Sequence, residues 1–228
     1  MTLTYLEIIN EVLARLREDE VTSSTETTYS SLIGRFVNQA KREVEDTWEW
    51  IGLRNTVQAT TVSGDYRYSL DGIKERFKII NIFNDTTNRE IMIRPSTWMS
   101  TQFNTAPISG EPQYYDVSGV DETTGDYQID LYPIPNAVWT ININLFKRQA
   151  KLVTDTTETA VPSYPIMLRT LYSALVERGE DGGLMAAEAY RDYKASLADA
   201  IAFDAQRSMR GTHDWYCDYI PTPTMSGY

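Results

Sequence analysis

The stretch 130–165 constrains this chain most, because within it one kind of periodicity gives way to another. It runs D-L-Y-P-I-P-N-A-V-W-T-I-N-I-N-L-F-K-R-Q-A, then a polar linker, then V-P-S-Y-P. Ile129 and Leu131 belong to a strand that must stop at Pro133, since proline donates no ladder hydrogen bond. Beyond Pro135, Trp139, Ile141, Ile143 and Leu145 alternate with Thr140, Asn142 and Asn144, the period-two pattern of a half-buried strand. A linker over 152–161 carries the chain to Pro165, well suited to be the first residue of a helix. A β unit therefore closes here and a helical unit resumes.

Upstream, Thr4 with Glu7 three residues on forms a capping-box pattern, and Tyr5, Ile8, Ile9, Val12, Leu13 and Leu16 follow at helical spacing. The spacing predicts a first helix over 5–18. After a Ser/Thr-rich loop at 22–31, Ile33, Phe36, Val37, Ala40, Val44 and Trp48 form one stripe, with Arg35, Lys41, Arg42, Glu45 and Asp46 off it. Trp48 and Trp50 read as anchors where helix meets sheet. From Leu53 the pattern turns to β. Val57, Ala59 and Thr61 alternate, Ser63-Gly64-Asp65 turns, and Tyr66, Tyr68 and Leu70 alternate again, which reads as a hairpin. The apolar run 77–83 suggests a strand buried on both faces. Ser96 suits the cap of a short helix carrying Trp98, Met99 and Phe103. Strands this short and closely spaced predict an antiparallel β-sandwich or small barrel, not a parallel sheet.

After Pro165, Leu168, Leu171, Tyr172, Leu175 and Val176 mark a third helix ending near Gly179. Leu184, Ala187, Tyr190, Lys194, Leu197 and Ile201 mark a long fourth one, with alanines on its flanks. The segment 207–228 has neither period, yet holds Trp215, Tyr216, Tyr219, Ile220, Met225 and Tyr228. Termini are normally polar and frayed, so a tail this aromatic implies a partner, either its own body or another subunit. The fold class expected is α+β: an antiparallel helical bundle over 1–51 and 162–206, an inserted β domain over 52–161, and an extended tail over 207–228.

At 228 residues the chain can bury a real core. Its net charge of −11 opposes sequence-specific nucleic-acid binding, since phosphate contacts need Lys and Arg and no basic cluster exceeds a pair. An acidic surface is compatible with DNA that slides past without sticking. Cys217 stands alone, which excludes an intrachain disulfide and a cysteine-rich metal site. No window is apolar enough to span a bilayer, and the start lacks the basic leader of a signal peptide. The expectation is a soluble protein assembled in a cytoplasm, with no membrane association.

Three blocks carry a family resemblance. Trp48-Glu49-Trp50 with Arg54 resembles the W-x-aromatic-x-x-x-R junction of phage head-to-tail adaptors. Gly110-Glu111-Pro112-Gln113-Tyr114-Tyr115 is similar to their G-x-P-x-x-Y segment, and Leu131-Tyr132-Pro133-Ile134-Pro135 to their L-x-P-x-P block. In order and spacing the blocks cover roughly 3–203. The family includes the tail tubular protein A and tail accessory connector proteins of short-tailed phages. The resemblance implies a ring, usually twelve-fold, beneath the portal, through which DNA passes without specific binding. It implies helices docked to the portal and to neighbouring subunits, and a β domain meeting the next tail component, a nozzle or tail-tube protein. It makes Arg210, Trp215, Tyr216, Tyr219 and Tyr228 the candidate partner contacts. Trp48, Trp50, Arg54, Gly110, Pro112, Pro133 and Pro135 become the structural junction.

Catalysis finds little footing. His213 is the only histidine and lies four residues from Cys217 in the tail, a thiol–imidazole pair only if that segment were helical. Asp116, Asp121, Glu122, Asp126 and Asp130 cluster in sequence, but acidic residues of hairpin turns are mostly solvated turn formers. No phosphate loop, dinucleotide fingerprint or metal pattern is present, so no enzyme activity and no cofactor are expected. The competing function is a β-sandwich glycan- or receptor-binding tail component with helical oligomerisation segments, using Trp98, Tyr114, Tyr115 and Trp139 in a sugar-stacking cleft.

Overall fold

The computed structural model describes residues 2–105, 107–180 and 183–217, with 208–217 as backbone. The chain divides into two units, Met1–Gly52 with Gln149–Tyr228, and Leu53–Arg148. Residues 149–161, placed with the β domain by sequence, fall in the helical unit.

In the helical unit, α1 (Tyr5–Arg15) starts on the expected capping box. The Glu7 N–H donates to Thr4 Oγ1 and the Thr4 N–H to Glu7 Oε2, at 3.3 and 2.7 Å. It ends at Leu16, before Arg17 at φ 59°, three residues short of the periodic signal. The next helix, α2 (Thr28–Thr47), begins on a reciprocal Thr27–Ser30 cap and buries Ile33, Val37, Ala40 and Val44. Helix α4 (Ser163–Leu175) packs against α1 and α2. It starts two residues before Pro165, which the first turn tolerates because its N–H positions have no intrahelical partner. A π-type turn at Val176–Glu180, with Gly179 at φ 84°, closes it.

The last helix, α5 (Leu184–Cys217), packs on α4 and differs from expectation twice. Its buried face is Ala186, Ala189, Tyr193 and Leu197, while Leu184 is 90% exposed. The flanking alanines, expected to permit close helix–helix approach, are buried at Ala186 and Ala189, while Ala198 and Ala202 are exposed. The helix also continues through 207–217, so the extended tail is corrected as far as Cys217. Proline first interrupts at Pro221, and Gly211 alone costs only about 1 kcal/mol in a helix. Residues 218–228 lie outside the described residues.

The β unit is one curled seven-stranded sheet. Its strands are β1 (Arg54–Thr60), β2 (Arg67–Ser69), β3 (Phe77–Asn84), β4 (Arg89–Ile93), β6 (Tyr114–Val120), β7 (Tyr127–Tyr132) and β9 (Thr140–Lys147). They lie in the order β1-β9-β3-β4-β6-β7-β2. β5 (Ser109–Gly110) and β8 (Ile134–Pro135) form a separate parallel pair. Ile82, Ile91, Ile129, Leu131, Ile141, Ile143 and Leu145 make the core, and the alternation of β9 is the one expected.

Three β expectations change. β1 and β2 do not form a hairpin: β1 pairs with β9 and β2 with β7. The sheet is mixed, because β4 and β6 run parallel. Parallel neighbours need a crossover, and the connection between them contains α3 (Ser96–Thr105), the short helix that Ser96 suggested. Strand β3 is half-buried rather than covered on both faces.

Candidate assembly site

Each tryptophan of the W-x-W block has its own task. α2 stops at Thr47, and Trp48 turns extended as its C-cap. The Trp48 indole N–H donates to Asp204 Oδ2 on α5 at 3.1 Å, and the Ile51 N–H donates to the same oxygen at 3.2 Å. Trp50 is 1% exposed, and its indole N–H donates to the Val44 carbonyl at 2.8 Å. That carbonyl belongs to the last turn of α2, where acceptors lack intrahelical donors. Gly52 follows where a Cβ would sit 2.1 Å from the Ala160 carbonyl oxygen, so only glycine fits this backbone approach. Arg54 opens β1 in the other unit, its guanidinium 5.5 Å from the Phe146 ring centre.

Sequence reasoning missed a buried ion pair. Lys41 and Glu45, read as off the stripe, are both buried and 3.1 Å apart. The Lys41 ammonium also donates to the carbonyls of Gln149 and Ala150 at 2.7 and 3.2 Å. A buried ammonium needs this many acceptors to offset lost hydration. Asn38 clasps the same returning segment one turn away. Its Oδ1 accepts from the Leu152 N–H at 2.8 Å and its Nδ2 donates to the Leu152 carbonyl at 3.1 Å. Asn10 does the same for Val21, at 3.0 and 2.9 Å. The available signal was a lysine between Val37 and Val44 at helical spacing, on the apolar side.

In the β unit the two proline blocks, separate in sequence, meet. Gly110 is the register partner of Pro135 and Ser109 of Ile134, and the Ile134 N–H donates to the Ile108 carbonyl at 2.9 Å. Pro112 and Pro135 are buried, and Pro133 follows a cis bond from Tyr132. Trp98 stands edge-on to Tyr114 and Tyr132 at 5.1 and 5.6 Å between ring centres. Arg94 lies over both Trp98 and Tyr114. Tyr115 is buried in the core, and Trp139 is half-buried just before β9. Of the aromatics nominated for sugar stacking, Trp98 and Tyr114 thus have their rings engaged by each other and by Arg94, and Tyr115 is covered by the core.

The acidic cluster is spent on structure. Asp130 takes a bidentate contact from Arg67 at 2.7 and 2.8 Å, and Asp116 is its register partner across β6 and β7. Asp121 accepts from the Thr123 and Thr124 N–H groups of its own turn, which holds its carboxyl below the usual range. Asp126 is buried with Oδ1 unpaired among the described residues, and Glu122 is exposed. No group of three or more His, Cys, Asp or Glu able to hold a metal occurs among the described residues. Of the candidate partner contacts, Arg210, Trp215 and Tyr216 lie on the α5 backbone, as do His213 and Cys217, while Tyr219 and Tyr228 fall outside the described residues. No helix among the described residues is long and apolar enough to cross a membrane.

Fold and side-chain use together define an α+β protein, built from a helical unit and a curled β unit. The family model of the SU10 adaptor protein matches residues 3–214. The chain belongs to that family and is a phage adaptor-type structural protein. Membership implies a place in the virion and association with portal and tail components. No curated protein matches the chain.

Proposed function

We propose that this protein is a head-to-tail adaptor that assembles as a ring under the portal, joins it to the tail and leaves a channel for DNA. The observation that carries this reading is the adaptor family match across 3–214. The net charge of −11 is in keeping with it, since a negative channel wall repels the phosphate backbone and lets DNA slide. In this reading the helices form a bundle that docks to the portal and to neighbouring subunits, with twelve copies expected from the resemblance. The β unit meets the nozzle or tail-tube protein. Arg210, Trp215, Tyr216, Tyr219 and Tyr228 are the proposed portal contacts, and the three sequence blocks are the structural junction that the resemblance implies.

Negative-stain images of the protein mixed with its portal test the reading. A ring with a central hole on the portal is the expected result; a free monomer beside intact portals overturns it. Deleting 207–228 should abolish portal co-sedimentation and leave a cooperative thermal melt, with the helical circular dichroism falling only by the α5 residues removed.

A further inference from the structure

The two edges of the sheet are unequal. One edge, β2, is three residues long and is braced through Arg67 by Asp130. The other, β1, is seven residues long and pairs only with β9. From Asn55 to Ser63 it carries no charge, no proline and no glycine. Proteins normally blunt an edge this long with lysine, proline or a bulge, because unpaired N–H and C=O groups template another strand.

Which groups are free follows from the ladder. The Thr61 N–H donates to the Trp139 carbonyl at 2.9 Å, one step beyond the Thr60–Thr140 register pair. On the far side of β9 the Asp85 N–H donates to the Thr140 carbonyl at 2.8 Å. Hydrogen-bonded and non-bonded pairs alternate in an antiparallel ladder, so Asn55, Val57 and Ala59 turn their backbone toward β9. Thr56, Gln58 and Thr60 turn theirs outward. Nothing else among the described residues bonds to those three backbones. The Thr56 and Gln58 side chains are drawn back over the sheet to Asn144 and Asn142, at 2.6 and 3.1 Å, and leave the edge uncovered.

Two segments carry the matching X-Pro-X-Pro-X pattern: 132–136, already used in β7 and β8, and I-P-T-P-T at 220–224. In an extended strand alternate residues present their N–H groups to the same side. Ile220, Thr222 and Thr224 therefore offer donors along one side only, because Pro221 and Pro223 have none for the other. Such a strand can join an edge but cannot extend the sheet further. Three donors at a spacing of two meet three free positions at a spacing of two.

We infer that the free edge of β1 receives residues 220–224 of a second copy as an added strand that also ends the sheet. The inference rests on the self-association within the proposed ring, and the prolines explain why such addition stops at one strand.

Amide exchange by NMR tests it. The acceptor is the full-length chain carrying Thr222→Pro, which removes the central donor of its own segment; the probe is a synthetic peptide of residues 218–228. The wild-type peptide should slow exchange at Thr56, Gln58 and Thr60 at least tenfold and leave Val57 and Ala59 unchanged. A peptide carrying Thr222→Pro should leave exchange at all five amides unchanged. No slowing, or equal slowing by both peptides, overturns the inference. The same three amides should be protected in the portal-bound wild-type ring. A ring in which they exchange as in the free chain overturns the inference and leaves the ring reading standing. Protection by peptide with no ring on the portal overturns the ring reading and leaves the edge contact.

Discussion

The two units are held together by different means. In the β unit, cohesion is spread over many equivalent ladder rungs and a set of aliphatic side chains from β3, β4, β7 and β9. In the helical unit, irregular segments far apart in sequence are fastened to helices by single polar side chains: Asn10 to Val21, Asn38 to Leu152, Lys41 to 149–150, and Asp204 to Ile51. A side-chain amide that both donates to and accepts from one residue replaces a strand neighbour where no strand exists. The lesson is one of concentration. Distributed cohesion tolerates a single loss, while point fastenings do not.

That contrast is open to direct attack. Lys41→Met should have the largest effect, about 3–5 kcal/mol, because it removes the buried cation facing Glu45 and the donor to two carbonyls. Urea melts read this, and an effect under 1 kcal/mol would undo the contrast. Asn38→Ala should follow at about 1–3 kcal/mol, with amide exchange at Leu152 rising most. In the β core, Ile143→Val should cost only about 0.5–1.5 kcal/mol, since one methylene is lost from a shared interior.

The smallest effect concerns acid. The Thr4 N–H holds the Glu7 carboxyl below its ordinary range, and Asp121 is held down by the Thr123 N–H. Their folded pKa values are depressed, so their contribution is fully present above the unfolded values near about 4 and is lost as pH falls through the folded ones. Glu7→Gln should therefore lower Tm slightly at pH 7, where the ionised carboxylate contributes, and reduce the fall in Tm between pH 5 and pH 3, measured as melts across that range.

Much of the local structure was legible in the sequence. The Thr4–Glu7 cap, the α2 stripe, the β9 alternation and the short α3 helix follow from adjacent residues acting on one another. What was not legible depended on distant partners. Ser63-Gly64-Asp65 carries turn chemistry, and Gly64 does adopt φ 90°, yet the flanking strands pair with β9 and β7 instead of each other. The buried Lys41 was read as solvated because its acceptors are carbonyls more than a hundred positions away. The face of α5 was misjudged because Leu184 and Tyr190 fit the apolar spacing yet are exposed, while Tyr193 is buried.

The Arg54–Phe146 rung of the sheet has a consequence for how such a protein could have arisen. Residues opposite one another in a ladder lie about 5 Å apart, so the β unit begins and ends at nearly the same point in space. For the helical unit, the whole insert then has the chain-closure cost of a tight turn, not that of a long loop. A helical chain without the insert needs only a short turn there. The β unit could have been acquired, exchanged between lineages or reshaped for a new tail partner with little penalty to the helices that carry it.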